Sequence, residues 1–579
     1  MRILALVPAR GGSKGFPGKN LALLAGEPLV RRAWSTLAAL RRRCPGLVLC
    51  LSTDSPEIAA AWPEAERPSR LRPAALAGDE SPTIDVVAWE LERQAEAGTP
   101  CDAVLLLQPT TPLVDVDDLE RLVQAFPATG AAVCVRPSEH PPWWAMAMGE
   151  EGGRMAWAIP RSGSLRRQDL PATWMPIGVA AARADVLRQH RGFNLPGISA
   201  LVPVAAEHGI DIDGPEDLTR CEGVLSRRAS AASVDLFGRA VGPGRPCFVI
   251  AEAGVNHNGD PDLALELVDA AAQAGADAVK FQTFSADAIA SAGAGKAAYQ
   301  QRLTGGGSQR EMLRRLELPW QAWVALKERA AARGIAFLST PFDPPSAALL
   351  ARLGLDAFKI SSGDLTCHPL LRQVAAAGRP MILSTGMANL DEVADAVTLL
   401  AGHPLALLHC VSSYPAPGDA ANLRAIDTLA RRFAVPVGWS DHTPGWEVTV
   451  AAVARGACIV EKHLTTDRNL PGPDHQASLD PEQFAAMMRA LRAVETSLGD
   501  GVKRPHPCEH EARRIARKSL VGARDLPAGT VLTEGDLACM RPGDGLSPAR
   551  LPELLGRRLT RDLGAEEPLT TDHLAGDAS

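Results

Sequence analysis

The chain has 579 residues, 46% hydrophobic and 22% charged, with a formal net charge of −7 at pH 7. That length asks for two to four globular domains, and a negative balance without basic runs excludes a nucleic-acid binder on composition. No apolar run reaches membrane-spanning length, the start MRILALVPAR lacks a signal-peptide core, and eleven scattered cysteines without a CxxC pair read as reduced thiols, so a cytoplasmic protein without a membrane partner is expected.

Ile3–Val7 reads as an apolar strand and is followed at once by Pro8-Ala9-Arg10-Gly11-Gly12-Ser13-Lys14-Gly15. A Gly-rich turn with Arg10, Lys14 and Lys19 offers backbone N–H groups and cations to phosphates, although it is neither a P-loop nor a GxGxxG fingerprint. Asn20 and Leu21 lead to a predicted helix, Leu29–Leu40. The runs Leu47–Leu51 and Val104–Leu107 read as strands, ending in Ser52-Thr53-Asp54 and in Gln108-Pro109-Thr110-Thr111-Pro112-Leu113, with Arg72 on a loop between them. Alternating strands and helices predict a doubly wound parallel α/β sheet with its ligand at the strand C-termini. Further on, Asp211 and Asp213 lie on one face of an extended segment, which suits Mg²⁺ bridging a triphosphate. The competing reading is an acidic helix cap before Pro215.

In order, VPARGGSKGFPGKNL, STD, RPAALAGD, LLQPTTPL, RRQDLP and DIDGPEDL over about the first 225 residues resemble the CMP-sialic acid synthetases (acylneuraminate cytidylyltransferases). The resemblance implies that Arg10, Lys14, Lys19, Asn20 and Arg72 hold CTP. It also implies that Gln108 and Arg167 face the sugar acid and that Asp211 and Asp213 hold Mg²⁺. Trp144 and Ile177-Gly178 depart from the family pattern (Lys and Asn-Gly in many relatives) in segments that face the sugar.

Ser226–Ser233 (SRRASAAS) reads as an interdomain linker. From Phe248 a second fold begins. Eight strand-like runs are separated by helix-length segments: Phe248–Ala251, Ala278–Phe281, Ala336–Leu338, Ala357–Ile360, Met381–Leu383, Leu405–Leu408, Val435–Trp439 and Ile459–Val460. Eight βα repeats predict a TIM barrel, with chemistry at the strand tips. Those tips carry Glu252, Lys280, Gln282, Ser339, Thr340, Lys359, Ser362, Ser384, His409 and Tyr414. The last two end in Ser440-Asp441-His442 and Glu461-Lys462-His463. If these two strands are neighbours, His442 and His463 stand side by side with carboxylates near them, a set suited to Mn²⁺, Fe²⁺ or Zn²⁺.

The segments AEAGVNHNG, KFQTF, STPFD, KISSGD, LSTGM, SDHT, EKH and RNLPGPDHQASLDP, over roughly residues 235 to 575, resemble the bacterial sialic acid synthases. The family condenses phosphoenolpyruvate with an N-acetylated aminosugar to a nine-carbon 2-keto acid and phosphate. The resemblance implies that His442 and His463 bind a divalent metal such as Mn²⁺ and that Glu252 and Asp474 line the reacting centre. Lys280, Lys359, Ser362, Ser384 and Ser440 would hold phosphoenolpyruvate, Gln282 and Tyr414 would face the sugar, and Thr340 joins the substrate-binding set.

Residues 516–574 turn Gly- and Pro-rich with short β-like runs and a predicted helix, Pro552–Leu555. They resemble the SAF (antifreeze-like) domain of these synthases, which implies a homodimer in which Arg541, in Met540-Arg541-Pro542-Gly543, enters the partner's barrel as a catalytic residue. The expected domains are 1–228, a lead-in 229–245, a barrel 246–512, and 513–579 with a frayed tail at Ala575–Ser579. The expected function is bifunctional: synthesis of a sialic- or legionaminic-type acid, then its activation with CTP. The alternative leaves only the synthase active, with the N-terminal part serving as a binding or dimerisation module.

Overall fold

The computed structural model describes residues 1–13, 15–78, 80–148, 155–157, 166, 169–296 and 298–574. Lys14, Arg167 and the tail Ala575–Ser579 lie outside the described residues. The chain forms two compact units, Met1–Ser497 and Leu498–Ser579.

The first unit opens with six strands: β1 Ile3–Pro8, β2 Leu47–Ser52, β3 Ala103–Leu107, β4 Ala131–Pro137, β5 Trp174–Arg183 and β6 Ala200–Pro203, in spatial order β6-β4-β5-β3-β1-β2. β5 alone runs antiparallel to its neighbours β3 and β4. In β1 alternation sends Ile3, Ala5 and Val7 to one core and Leu4 and Leu6 to another, so the strand is buried on both faces. The helix Leu29–Arg43 covers the first face with Val30, Ala33, Leu37 and Leu40. The helix Thr83–Glu96 covers the second with Val87 and Leu91. The C-terminal ends of β1, β2 and β3 therefore open on one edge, the place at which such sheets bind ligands.

The expected linker Ser226–Ser233 is corrected. The helix Pro215–Ala231 runs through most of it, because Cys221, Val224, Leu225 and Ala229 form a buried stripe at helical spacing. A hairpin of Val234–Leu236 with Arg239–Val241 follows. Its Val234, Leu236 and Val241 pack against Phe248, Ile250, Leu338 and Ile459, closing the N-terminal mouth of the barrel.

The barrel strands are β7 Phe248–Gly254, β8 Ala278–Thr283, β9 Ala336–Pro341, β10 Phe358–Ile360, β11 Met381–Ser384, β12 Leu405–Cys410, β13 Val437–Asp441 and β14 Ile459–His463. Their parallel ladder runs β9-β8-β7-β14-β13-β12-β11-β10, and its two end strands pack side by side. Inward-facing apolar residues (Ile250, Ala278, Leu338, Ile382, Ala406, Leu408, Ile459) fill the lower barrel, and the outward ones join the helices in a larger core.

The second unit pairs Ser519–Gly522 with Leu537–Met540 over a core of nine buried leucines. The short helix there is Leu551–Leu554. Among the described residues, no helix is long and apolar enough to cross a membrane.

Candidate active site

Above the apolar layers, the inward positions of all eight strands turn polar or sulfur-bearing. Glu252, Lys280, Thr340, Lys359, Ser384, Cys410, Ser440 and Glu461 line a cavity of about 520 Å³, with Gln282, His442, His463, Tyr414 and Asp474 above them. The layer follows from alternation: a strand whose lower residues face the axis returns a side chain there every second position. That volume is in the range of small-molecule sites.

Two buried lysines organise the floor. Lys280 Nζ is 2.8 Å from Glu252 Oε2 and 3.7 Å from Glu461 Oε2, and it donates to Thr340 Oγ1 at 3.2 Å. Lys359 Nζ donates to Ser384 Oγ at 2.6 Å and stands 3.6 Å from Glu461. Ser440 donates to Glu461 Oε1 at 2.8 Å. Burial would raise Glu461, but Lys280, Lys359 and the Ser440 hydroxyl outweigh it and hold the carboxyl down at about 2. Burial pushes Asp474 up to about 6, with the charge of Glu252 adding to it. Glu252 is likewise raised, by burial first and then by Glu461 against the pull of Lys280. Three buried carboxyls thus sit in one cavity, one held low and two raised.

Gln282 donates to Glu252 Oε1 at 2.9 Å. Gly254 sits at φ +54, and a Cβ there would lie 3.3 Å from both the Gln282 amide nitrogen and Glu252 Oε1 and 3.7 Å from Asp474 Oδ2. These three polar groups therefore converge on one small volume that only glycine leaves open.

His442 and His463 lie at the tips of neighbouring strands, with ring centroids 5.6 Å apart. The Tyr414 ring is 4.1 Å from His442 and 5.9 Å from His463. His442 Nδ1 engages Val411 O at 2.8 Å, which orients the ring. His463 is buried, its Nδ1 has no partner, and burial, then the charges of His442 and Lys280, hold its imidazole neutral, well below the ordinary histidine value. Two imidazoles, one neutral with an orphaned buried nitrogen, close to buried carboxylates, are a donor set that fits a divalent cation.

Alternation also corrects part of the tip reading. Asp441 faces away from the histidines, and its carboxylate takes Lys462 at 3.0 Å, the Thr443 amide and hydroxyl, and the Thr449 hydroxyl behind the barrel wall. His409 faces the helices and meets Ala421 O at 2.9 Å, and Ser339 bonds Thr283 and Phe281 O. The carboxylate at the centre is Glu461, which the sequence reading did not single out. Its signal was present, because it stands two residues before His463 and so shares that residue's face. Ser362 accepts from the Gly386 amide at 2.9 Å at the cavity rim.

On the N-terminal sheet, Gly11 N donates to Asp54 at 2.8 Å, and Asn20 holds Arg10 O at 2.9 Å. Arg72 is buried. Its 3.7 Å ion pair to Asp54 leaves Nε and Nη2 without hydrogen-bond partners, an arrangement suited to an incoming anion. Lys19 Nζ donates to Ile212 O at 2.9 Å and pairs with Asp213 at 3.3 Å. The cap of the following helix belongs to Asp217, which accepts from Asp213 N and Gly214 N, leaving Asp211 and Asp213 free of that task. Desolvation raises Asp211, with the charge of Asp213 adding to it against its Thr110 hydrogen bond. The Gln108 backbone N–H donates to Gly178 O, and a Cβ at 178 would fall 2.3 Å from Gln108 Oε1, so this glycine makes room for the Gln108 side chain. Trp144 is exposed and stacks on His140. Among the described residues one other acid–His group has metal-like spacing, Asp115, Asp118 and His208. Its oxygens already serve a helix cap, Arg121 and His208.

In the second unit Arg541 follows the strand Leu537–Met540 and is exposed.

Three family profiles match the chain: cytidylyltransferase over residues 4–138, NeuB family over 267–503 and SAF domain over 517–575. An N,N'-diacetyllegionaminic acid synthase of Legionella pneumophila is 46% identical over 341 residues, 58% of this chain and 96% of that protein. One from Campylobacter jejuni is 45% identical over 326 residues, covering 55% and 98%. Among solved structures, an N-acetylneuraminic acid synthetase from Leptospira borgpetersenii in complex with citrate is 37% identical over 48% of this chain and 94% of that one, with a TM-score of 0.44.

Proposed function

Because this chain belongs to the NeuB family and joins a cytidylyltransferase domain to a synthase barrel and a SAF domain, we propose that it performs two successive steps. The barrel condenses phosphoenolpyruvate with an N-acetylated aminosugar, such as N-acetylmannosamine or 2,4-diacetamido-2,4,6-trideoxymannose, to a nine-carbon 2-keto acid and phosphate. The N-terminal domain then joins that acid to CMP from CTP, releasing pyrophosphate. The relatives' identity favours the legionaminic product.

The observation that carries the barrel reading is the pair of buried lysines gathered on Glu461, with Glu252 also on Lys280, beneath two histidines. Lys280, Lys359, Ser384 and Ser440 would bind the carboxylate and phosphate of phosphoenolpyruvate, with Thr340 and Ser362 at the edges. Gln282 and Tyr414 would face the sugar. A divalent cation on His442 and His463, with Mn²⁺ the leading candidate, would supply Lewis-acid polarisation of the sugar's aldehyde. C3 of the enol ester bonds to the aldehyde carbon, and Glu252 gives a proton to the oxygen that becomes a hydroxyl. Water attacks C2 and Asp474 takes one of its protons; the C2 hydroxyl so formed then closes to the ketone as the C2–O bond to phosphate breaks, its remaining proton leaving with the phosphate. One proton is given and one recovered. The lysines stabilise the anions throughout.

In the N-terminal domain Arg10, Lys14, Lys19, Asn20 and Arg72 would hold the nucleotide, Gln108 and Arg167 the sugar acid, and Asp211 with Asp213 the Mg²⁺. Catalysis there is positioning and charge neutralisation. We further propose a homodimer in which Arg541 serves the partner's barrel. The test of the reading is direct. Purified chain is given phosphoenolpyruvate with a panel of N-acetylated hexoses, and phosphate release is followed. CTP is then added and pyrophosphate measured. Release of both supports the assignment, and no phosphate from any sugar overturns it.

A further inference from the structure

Within the first unit the cytidylyltransferase domain and the barrel share a face that neither proposed reaction uses. The helix Leu29–Arg43 lies against the barrel helix Leu390–Leu399, and Pro215–Ala231 against Arg424–Phe433. Ion pairs cross it: Arg31 with Asp391, Arg42 with Asp395, Arg431 with Glu222 at 2.8 Å and Arg432 with Glu27 at 2.9 Å. Between them lies a cavity of about 210 Å³ with Arg32, Arg42, Arg228 and Arg432 on its wall.

Three of those arginines have carboxylate partners, Arg228 finding its own in Glu207 at 2.6 Å. Arg32 differs. It is 7% exposed, its Nε donates to Pro112 O at 2.8 Å, and its Nη1 is buried with no partner. Burial first, then the nearby charge of Arg432, pushes its guanidinium down to about 10 against the pull of Glu27, which Arg432 already engages. Of the aspartates on the wall, Asp391 and Asp395 are already matched by Arg31 and Arg42, and Asp115 caps the helix Val116–Thr129. A buried guanidinium with a spare donor, repelled by its neighbour, is costly unless an anion answers it. The space falls below the roughly 300 Å³ at which larger organic ligands are housed, which excludes a nucleotide.

We propose that this interdomain cavity binds a small oxyanion of the phosphate class, with Arg32 as principal donor and Arg432 beside it. Because Arg32 Nε holds Pro112 O, the bound anion would brace the Gln108–Leu113 loop, whose Thr110 carbonyl accepts from Ile212 N between Asp211 and Asp213. The site is independent of the two catalytic readings.

The test is isothermal titration of inorganic phosphate into the full-length protein and three variants. Arg32→Gln removes the donor, and Ala394→Leu fills the cavity while keeping every charge. Lys359→Met removes the barrel's own candidate phosphate group. The proposal expects a phosphate-binding component that weakens roughly tenfold or more in the first two variants, as loss of a charged hydrogen bond predicts, and that survives in Lys359→Met. If Arg32→Gln does not fold, Ala394→Leu decides. Unweakened binding in a folded Ala394→Leu protein, or phosphate binding that disappears entirely in Lys359→Met, overturns it.

Discussion

The Glu461 carboxylate stands 3.6 Å from the Lys359 ammonium, deep in the barrel where both side chains are buried. Lys280 lies 3.7 Å from the same carboxylate and 2.8 Å from Glu252, so two carboxyls face two lysines. The cluster is stable because charge balances charge.

Glu461→Gln should therefore leave Lys359 without its carboxylate partner and Lys280 with Glu252 alone. Condensation should fall about a hundredfold or more, and unfolding in denaturant should show a loss of about 3–5 kcal/mol, the usual cost of breaking a buried pair. Pyrophosphate release from supplied sugar acid should not change. The pH sign follows from the direction of the shift. Glu461 is depressed from 4.5 to about 2, so its stabilisation is present above 4.5 and lost as pH falls through about 2. That acid component should be missing from the variant's stability profile.

Asp474 has the opposite sign. Its carboxyl is raised from 3.8 to about 6, so its contribution to stability is full below 3.8 and lost as pH rises through about 6. In its proposed role as the base that takes a proton from water, it would work when ionised. The condensation kcat/KM should rise through an ionisation near 6, and Asp474→Asn should be slow with that limb gone. A wild-type limb that persists in Asp474→Asn would assign the ionisation elsewhere.

How far the site could be read from sequence depends on the residue. The histidines were legible because each ends an apolar run, and the barrel was legible because eight such runs repeat. The facing of Asp441, His409 and Ser339 was not, since polar clusters at strand tips hide which member alternation turns inward. Ser226–Ala231 misled for a different reason: Ala, Ser and Arg suit a flexible connector and a helix equally, and the buried Val224–Leu225 pair beside them decides. Glu461 was readable in principle, two residues from His463, but its two lysine partners come from strands more than a hundred residues away.

In the nucleotidyl domain, Asp211→Asn should remove most pyrophosphate release and spare condensation, because amidation would take charge from the proposed Mg²⁺ site. Arg72→Gln should raise the KM for CTP, since its buried nitrogens without hydrogen-bond partners are the groups proposed to meet the nucleotide. Pyrophosphate release unchanged in Asp211→Asn would remove that residue from the metal site.

Chain mixing tests Arg541. Arg541→Ala and His442→Ala proteins should each be poor synthases. Mixed under conditions where chain exchange is shown independently, they should regain condensation, because one barrel in each mixed dimer then has both groups. No recovery would mean that Arg541 acts within its own chain or not at all.

The central claim is that His442 and His463 form the metal site on which condensation depends, and metal content measured with activity tests it most directly. Wild-type protein, stripped with a chelator and reloaded with Mn²⁺, should retain a stoichiometric ion after dialysis and recover phosphate release. His442→Ala and His463→Ala should fold, lose the ion and lose condensation, while CTP-dependent pyrophosphate release persists. Either variant retaining the ion with near-normal condensation would contradict the account.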